Sequence, residues 1–307
     1  MPAFDQTSPA AEARMPPAVT AADGPTDEME AGAIQKAWAA LSLTERRPAI
    51  HLEIDWAART DIGRAREHNE DKYDFFLPED PSLLALRGRL WALADGMGGH
   101  SAGQIASESA LKILIRRYFS QTEMGGDSPR GALAAALRDA NDLLHRAAKE
   151  MGAQGNMGTT VVAAVICNDA LTIAHIGDSR AYLLRGDKPI RALTTDHSWV
   201  EEQVRRGTMS REQAETSQYR NYIMRSVGMG GAVDADIASE TLQIGDTILL
   251  CSDGVTGYLE DATLERLIQG KNLSQAALDL IDAANEAGGR DNSTVLLFRV
   301  RALRPFE

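Results

Sequence analysis

The sequence predicts an α+β protein in which strands pack as sheets and helices lie outside them. Nine short runs rich in Val, Ile, Leu and aromatic residues recur from residue 56 onward. Several are apolar throughout, the pattern of strands covered on both faces. Amphipathic stretches opened by capping residues lie between them, and their order is not the regular alternation of a doubly wound sheet.

The strand candidates are 56–62, 73–77, 90–94, 159–166, 171–176, 181–184, 235–242, 247–251 and 294–300. Helix starts follow capping grammar. Ser101 with Gln104 has capping-box spacing before 102–119. Ser128-Pro129 opens 129–149, with Pro at the first helical position. Ser198 with Glu201 opens 199–206, which Gly207 closes, and Ser210 with Gln213 opens a short helix after it. A last helix, 273–287, ends at Gly288-Gly289.

Residues 1–30 differ from the rest. They hold five of the 11 prolines and six acids against one base, with no apolar periodicity, and are expected to be a disordered tail. Residues 31–50 are expected to form a short helix and linker through Ile34, Trp38 and Leu41. The remaining 51–303 are expected to form one domain.

Composition narrows the function classes. Hydrophobic residues at 44% and charged residues at 25% are those of an ordinary globular chain with a sizeable core. A formal charge of -12 disfavours nucleic acid and anionic membranes as partners. No stretch approaches the ~18 apolar residues of a membrane span, and no signal peptide is visible, so a cytoplasmic protein is expected. The two cysteines, Cys167 and Cys251, sit in apolar runs and read as core residues.

Four sites share one grammar of an acid in a tight turn beside a strand: Asp95-Gly96, Asp178-Ser179, Asp253-Gly254 and Asp291-Asn292. A fifth acidic pair, Glu70-Asp71, precedes the run at 73–77. Each alone reads as a turn, since Asp and Gly favour turns. Together, carboxylates at strand ends could converge on one mouth, where they would repel unless a cation neutralised them. Oxygen-only ligands of this type suit Mg²⁺ or Mn²⁺ better than zinc.

The motifs carry a more specific signal. Thr60-Asp61-Ile62-Gly63-Arg64-Ala65-Arg66-Glu67-His68-Asn69-Glu70-Asp71 and Ala94-Asp95-Gly96-Met97-Gly98-Gly99-His100 come first. Gly158-Thr159-Thr160, then His175-Ile176-Gly177-Asp178-Ser179-Arg180 and Leu193-Thr194-Thr195-Asp196-His197-Ser198 follow. Arg225-Ser226-Val227-Gly228, Ser252-Asp253-Gly254-Val255 and Gly289-Arg290-Asp291-Asn292 complete the order. This series resembles the metal-dependent protein serine/threonine phosphatases (PPM, type 2C), bacterial branch, from about residue 55 to 300.

The resemblance implies a four-layer αββα sandwich, with two antiparallel sheets flanked by helices. It implies hydrolysis of phosphoserine and phosphothreonine by attack of a metal-activated water. Two Mn²⁺ or Mg²⁺ ions are implied, with a weaker third. Asp95 would bridge the two, Gly96 would offer its carbonyl, and Asp253 and Asp291 would bind the second ion. Glu70 and Asp71 would hold the metals' waters, Asp178 with Asp253 would serve the third ion, and Arg66 would bind phosphate. Met97 stands where animal members carry a histidine proposed to protonate the leaving group. The polar insertion between His197 and Tyr222, with Arg205, Arg206, Arg211 and Arg220, resembles the family's flap. The implied partners are phosphoproteins, among them a Hanks-type serine/threonine kinase and its targets, met by a monomer. A phosphatase-like module that binds without turnover would lack metal aspartates, and none is missing here.

Overall fold

The computed structural model describes residues 48–99, 101–120 and 128–305. The expected tail at 1–30, residues 31–47 of the expected helix and linker, and His100 lie outside the described residues.

The elements in chain order begin with β1 (Ile50–Asp61), β2 (Lys72–Phe76), α1 (Pro81–Arg87), β3 (Arg89–Ala94), β4 (Gly96–Met97), α2 (Ser101–Ser120) and α3 (Pro129–Glu150). Then come β5 (Gly158–Thr159), β6 (Val161–Cys167), β7 (Ala170–Ile176), β8 (Arg180–Leu184), β9 (Arg191–Ala192), α4 (Trp199–Arg205) and α5 (Arg211–Glu215). The chain continues through β10 (Asp236–Thr241), β11 (Thr247–Cys251), α6 (Asp253–Thr256), α7 (Asp261–Ile268), α8 (Leu273–Glu286) and β12 (Ser293–Pro305).

The strands form one sheet in the order β1-β12-β11-β8-β9 and a second in the order β10-β7-β6-β3-β2. Every pairing in both is antiparallel. Side-chain alternation then builds three buried layers. Trp91, Leu93, Val162 and Ile173 of one sheet meet Leu250, Leu296 and Phe298 of the other. At their centre the Trp91 and Phe298 rings stack with centroids 5.0 Å apart, worth roughly 0.5–1.5 kcal/mol beyond the area buried. The alternate residues Leu90, Ala92, Val161 and Val165 pack under α2 and α3 through Leu111, Leu114, Leu133 and Leu137. On the far side Leu249, Cys251, Val295 and Leu297 pack under α7 and α8 through Leu264, Ile268 and Leu280. The result is the expected αββα sandwich, and it explains the runs that are apolar throughout. Both sheets are covered on both faces.

Capping also follows the sequence. Ser128 accepts from the Gly131 amide, Ser198 from that of Glu201, and Ser210 with Gln213 forms a full capping box. The exception is α2, which begins at Ser101 itself, so the cap position is not Ser101.

Several boundaries differ from expectation for identifiable reasons. β1 starts at Ile50 and β12 ends at Pro305, further out than 56–62 and 294–300 suggest. Their outer halves carry charges, and they hold by pairing with each other from Ile50↔Pro305 inward. The expected strand at 159–166 is two elements: β5 pairs with β4, β6 joins the second sheet, and Thr160 sits between them. The helices α1, α6 and α7 are unanticipated. For α1 the signal was present in Asp80, which accepts from the Leu83 amide at 2.7 Å, and in Pro81 at the first turn.

Candidate active site

The sheet register collects the acidic turns at one edge of the sandwich. Lys72 pairs with Ala94, so Asp71 and Asp95 leave neighbouring strand ends. Val161 pairs with Ile176, which brings the Gly177-Asp178 turn to the same edge. In the other sheet Cys251 pairs with Val295 and with Arg180, while Ser293 pairs with Asp61. Asp253, Asp291 and the 62–70 loop therefore emerge there too.

Each carboxylate is fixed by its own neighbours. The Asp95 backbone is clamped by two threonines. Its carbonyl accepts from the Thr160 amide at 2.9 Å and the Thr159 hydroxyl at 2.7 Å. Its amide donates to Thr160 Oγ1 at 3.0 Å. Asp71 accepts from the Ser252 hydroxyl at 2.7 Å. Gly96 and Gly103 lie so close that a Cβ on Gly96 would stand 2.2 Å from the Gly103 carbonyl oxygen. A Cβ on Gly103 would meet Glu70 Oε2 at 2.6 Å, so glycine there makes room for that carboxylate.

Asp71 and Asp178 are buried. Asp71 Oδ1, Asp178 Oδ1 and Asp253 Oδ1 are shielded from solvent with no hydrogen-bond partner. Buried acceptors are rarely left so, and an orphan costs about 1–3 kcal/mol. Burial, and then the other carboxylates, push the Asp71 carboxyl up to about 7. The same two causes hold Asp95 and Asp178 well above the ordinary range and raise Asp253. Asp95 feels Asp71, Asp253, Asp178 and Asp291 in that order. An oxygen-only donor set with orphaned oxygens and suppressed ionisation fits divalent cations.

A stability prediction follows from these shifts. An unfolded Asp ionises near pH 4, while Asp71 in the fold holds its proton to about 7. The unfolded chain thus binds fewer protons across that window, and stability falls as pH rises through it. His197, pulled down to about 4 by burial, His175 and Arg225, has the opposite sign, and its slope fades above about pH 7, where the unfolded imidazole is mostly neutral. The melting temperature of metal-free protein is therefore expected to drop between pH 6.5 and 8, and saturating Mn²⁺ to remove most of that drop. A metal-free melting curve flat over this range would contradict the carboxylate cluster.

Arg66 donates through Nη2 to Asp291 Oδ2 at 2.7 Å, and both side chains are partly exposed at the mouth. Arg66→Lys keeps the charge but loses the planar fork. It is expected to lower kcat/KM on a phosphothreonine peptide by about tenfold or more, the scale of one charge-assisted hydrogen bond. Unchanged kcat/KM would remove Arg66 from the site.

Beside the carboxylates runs a groove of about 970 Å³. It is lined by the carboxylates Asp178, Asp253 and Asp291, by Ser198, Glu201, Arg211 and Arg220 of the insertion, and by Gly257, Tyr258 and Glu260. Of the four insertion arginines, Arg205 and Arg206 pair with Glu202, and Arg211 pairs with Glu201.

A family model described as protein phosphatase 2C matches residues 64–291. The chain belongs to the protein phosphatase 2C family. Among its relatives, the serine/threonine phosphatase stp of Listeria innocua is 40% identical over 251 residues, covering 81% of this chain and 95% of that protein. The crystal structure of the Mycobacterium tuberculosis serine/threonine phosphatase PstP/Ppp superimposes with a TM-score of 0.71 at 33% identity, covering 81% of this chain and 99% of that one. The catalytic domain of PstP in complex with two manganese ions gives 0.67 at 32%, covering 82% and 100%. This protein phosphatase 2C member is thus a metal-dependent protein serine/threonine phosphatase. No helix among its described residues is long and apolar enough to cross a membrane.

The phosphatase uses residues that sequence reasoning left without a role. Asn292 is buried, accepts from the Glu70 amide at 2.8 Å and donates to the carbonyls of Ile62 and His68 at 2.9 and 3.0 Å. It ties the Arg66 loop to the turn that carries Asp291. Thr159, Thr160, Ser252 and Gly103 likewise hold the carboxylates rather than form the acidic set. All but Gly103 lie inside the quoted motifs, so their position in those motifs was the available signal.

Proposed function

We propose that the carboxylate mouth hydrolyses phosphoserine and phosphothreonine in proteins, with Asp95, Gly96, Asp253 and Asp291 holding two ions, Mn²⁺ or Mg²⁺. Glu70 and Asp71 would hold the water ligands, and Asp178 would serve a third, weaker ion. The observation that carries this reading is the set of three buried carboxylate oxygens without partners, Asp71 Oδ1, Asp178 Oδ1 and Asp253 Oδ1.

The ions would supply an activated water and offset charge on the phosphoryl oxygens. The chain's own residues do the rest. Arg66, at the mouth, can grip two phosphoryl oxygens with its fork. The Thr159 and Thr160 clamp keeps Asp95 in place, and Ser252 orients Asp71. Water attacks phosphorus in line, the bond from phosphorus to the side-chain oxygen breaks, and the proton the water gives up is matched by one taken up by the leaving oxygen, which departs as the alcohol. A cysteine nucleophile has no support. Cys251 is buried with its thiol pushed up to about 12, and the Cys167 thiol is raised by burial as well.

Residues 51–303 would form the phosphatase domain, acting as a monomer in the cytoplasm. The substrates would be a Hanks-type serine/threonine kinase and its targets. Release of phosphate from a phosphothreonine peptide, and from an autophosphorylated kinase of that type, tests the reading. Inactivity of pure protein with several metals and both substrates would instead favour a binding module.

A further inference from the structure

The insertion that walls the groove is closed at its base by a short neck. Met224 donates its amide to the His197 carbonyl at 2.7 Å, and Trp199 donates its amide to the Tyr222 carbonyl at 2.9 Å. Ser198 and Ile223 form an antiparallel bridge between them. Inside the insertion the Trp199 and Tyr219 rings lie 5.0 Å apart. The segment therefore holds itself together, and its placement over the groove is set by what the neck touches.

On its flanks Arg180 holds Asp196 at 2.8 and 2.7 Å and Thr159 pairs with Val227, and two further sets of contacts meet at His197. At its outer side Asp236, the first residue of β10, takes both ends. His197 Nε2 lies 3.3 Å from Asp236 Oδ2, and Arg225 donates to Asp236 Oδ1 at 2.9 Å. At its inner side His197 reads Gly177 twice. Its amide donates to the Gly177 carbonyl at 2.9 Å, and its Nδ1 accepts from the Gly177 amide at 3.1 Å. Gly177 precedes Asp178 in the turn that reaches the carboxylate mouth. The His197 ring also stacks on His175 with centroids 4.5 Å apart, and His175 Nε2 is 2.8 Å from the carbonyl of Thr195, a groove residue.

Distance alone would admit a metal here, because His175, His197 and Asp236 offer atoms within 4.8 Å of one another. The hydrogen bonds argue otherwise. An amide donor on His197 Nδ1 places the ring proton on Nε2, the atom a metal would need. Arg225 adds a cation at the same point, 3.3 Å from Nε2.

We propose that His197, Asp236 and Arg225 form a clasp that positions the groove wall against the carboxylate mouth, with His197 as the positioning residue for phosphoprotein substrates. This rests on the phosphatase reading above. Two arms separate at His197: one reaches Gly177 and the catalytic edge, the other reaches Asp236. Loss of the Asp236 arm loosens the outer side of the wall and leaves the mouth intact, since the Gly177 and Asp196 anchors stay. Substrates that fill the groove then suffer, and a small aryl phosphate does not.

Asp236→Ala and His197→Asn test this with Mn²⁺-loaded full-length protein. Asp236 is half exposed at the surface, so its loss is compatible with folding. Asparagine places an oxygen where Nδ1 stands, which keeps the Gly177 bond and drops the Asp236 arm. Each variant is expected to raise KM for a phosphothreonine peptide by about fivefold, with kcat within about twofold. Its kcat/KM on p-nitrophenyl phosphate is expected to stay within about twofold of the parent. The double variant is expected to lose no more than either single one, because both cut the same link. Amide hydrogen exchange is expected to quicken in 199–222 and not in the sheets. An unchanged peptide KM in folded Asp236→Ala, equal losses on both substrates, or additive losses in the double variant would each overturn the clasp. A parent protein inactive on both substrates would instead count against the phosphatase reading.

Discussion

Phosphate release from a phosphothreonine peptide is expected to fall to background on exhaustive chelation and to return with Mn²⁺ or Mg²⁺. The loss should be on the order of 10³-fold or more, because the proposed nucleophile is a water that only a bound cation activates near neutral pH. The site offers no other route. Its candidate ligands are all oxygens, its buried carboxyls are held toward their protonated forms, and both thiols have raised pKa values. The measurement is phosphate release before and after EDTA, followed by metal titration. It is best made at pH 6.5, where the metal-free fold is expected to be more stable than at pH 8. Full hydrolysis after exhaustive chelation would sink the metal mechanism.

Asp253→Asn is expected to lower kcat/KM by about 100-fold or more, since it removes both charge and a ligand from the proposed metal site. Asp253 opens α6 one residue after β11, and its Oδ1 has no partner. Asparagine fills the same space without the charge that burial and Asp291 penalise. The metal-free variant should therefore melt no lower than the parent at pH 8, while Mn²⁺ binds at least about tenfold more weakly. Activity and stability move in different directions. A parallel fall in both would mark Asp253 as a packing residue, and wild-type turnover would remove it from the centre.

Much of this was legible in the sequence because it is local. Near-continuous apolar runs mark β6, β7 and β11 to within a residue or two, since burial on both faces leaves few polar positions. Serine caps at 128, 198 and 210 mark helix starts because an orphan amide needs an acceptor within three residues. The charged outer halves of β1 and β12 were not legible, since each is a strand only by virtue of the other.

By itself the sequence determined the layers and the inventory. It placed an acid beside each of several strand ends, named the ligand chemistry as oxygen, and carried the motif order that marks the family. Only the tertiary structure decided which of these groups meet. The bond from Arg66 to Asp291, the Asn292 bridge to the Glu70 amide and the Asp236 clasp on both ends of the insertion join residues far apart in the chain. Their meeting depends on the register of nonlocal strand pairs. A one-residue slip would turn each paired side chain to the other face, and no spacing along the chain encodes which register wins. Burial of both sheet faces selects it, and the carboxylates are carried into contact by that packing despite their mutual repulsion.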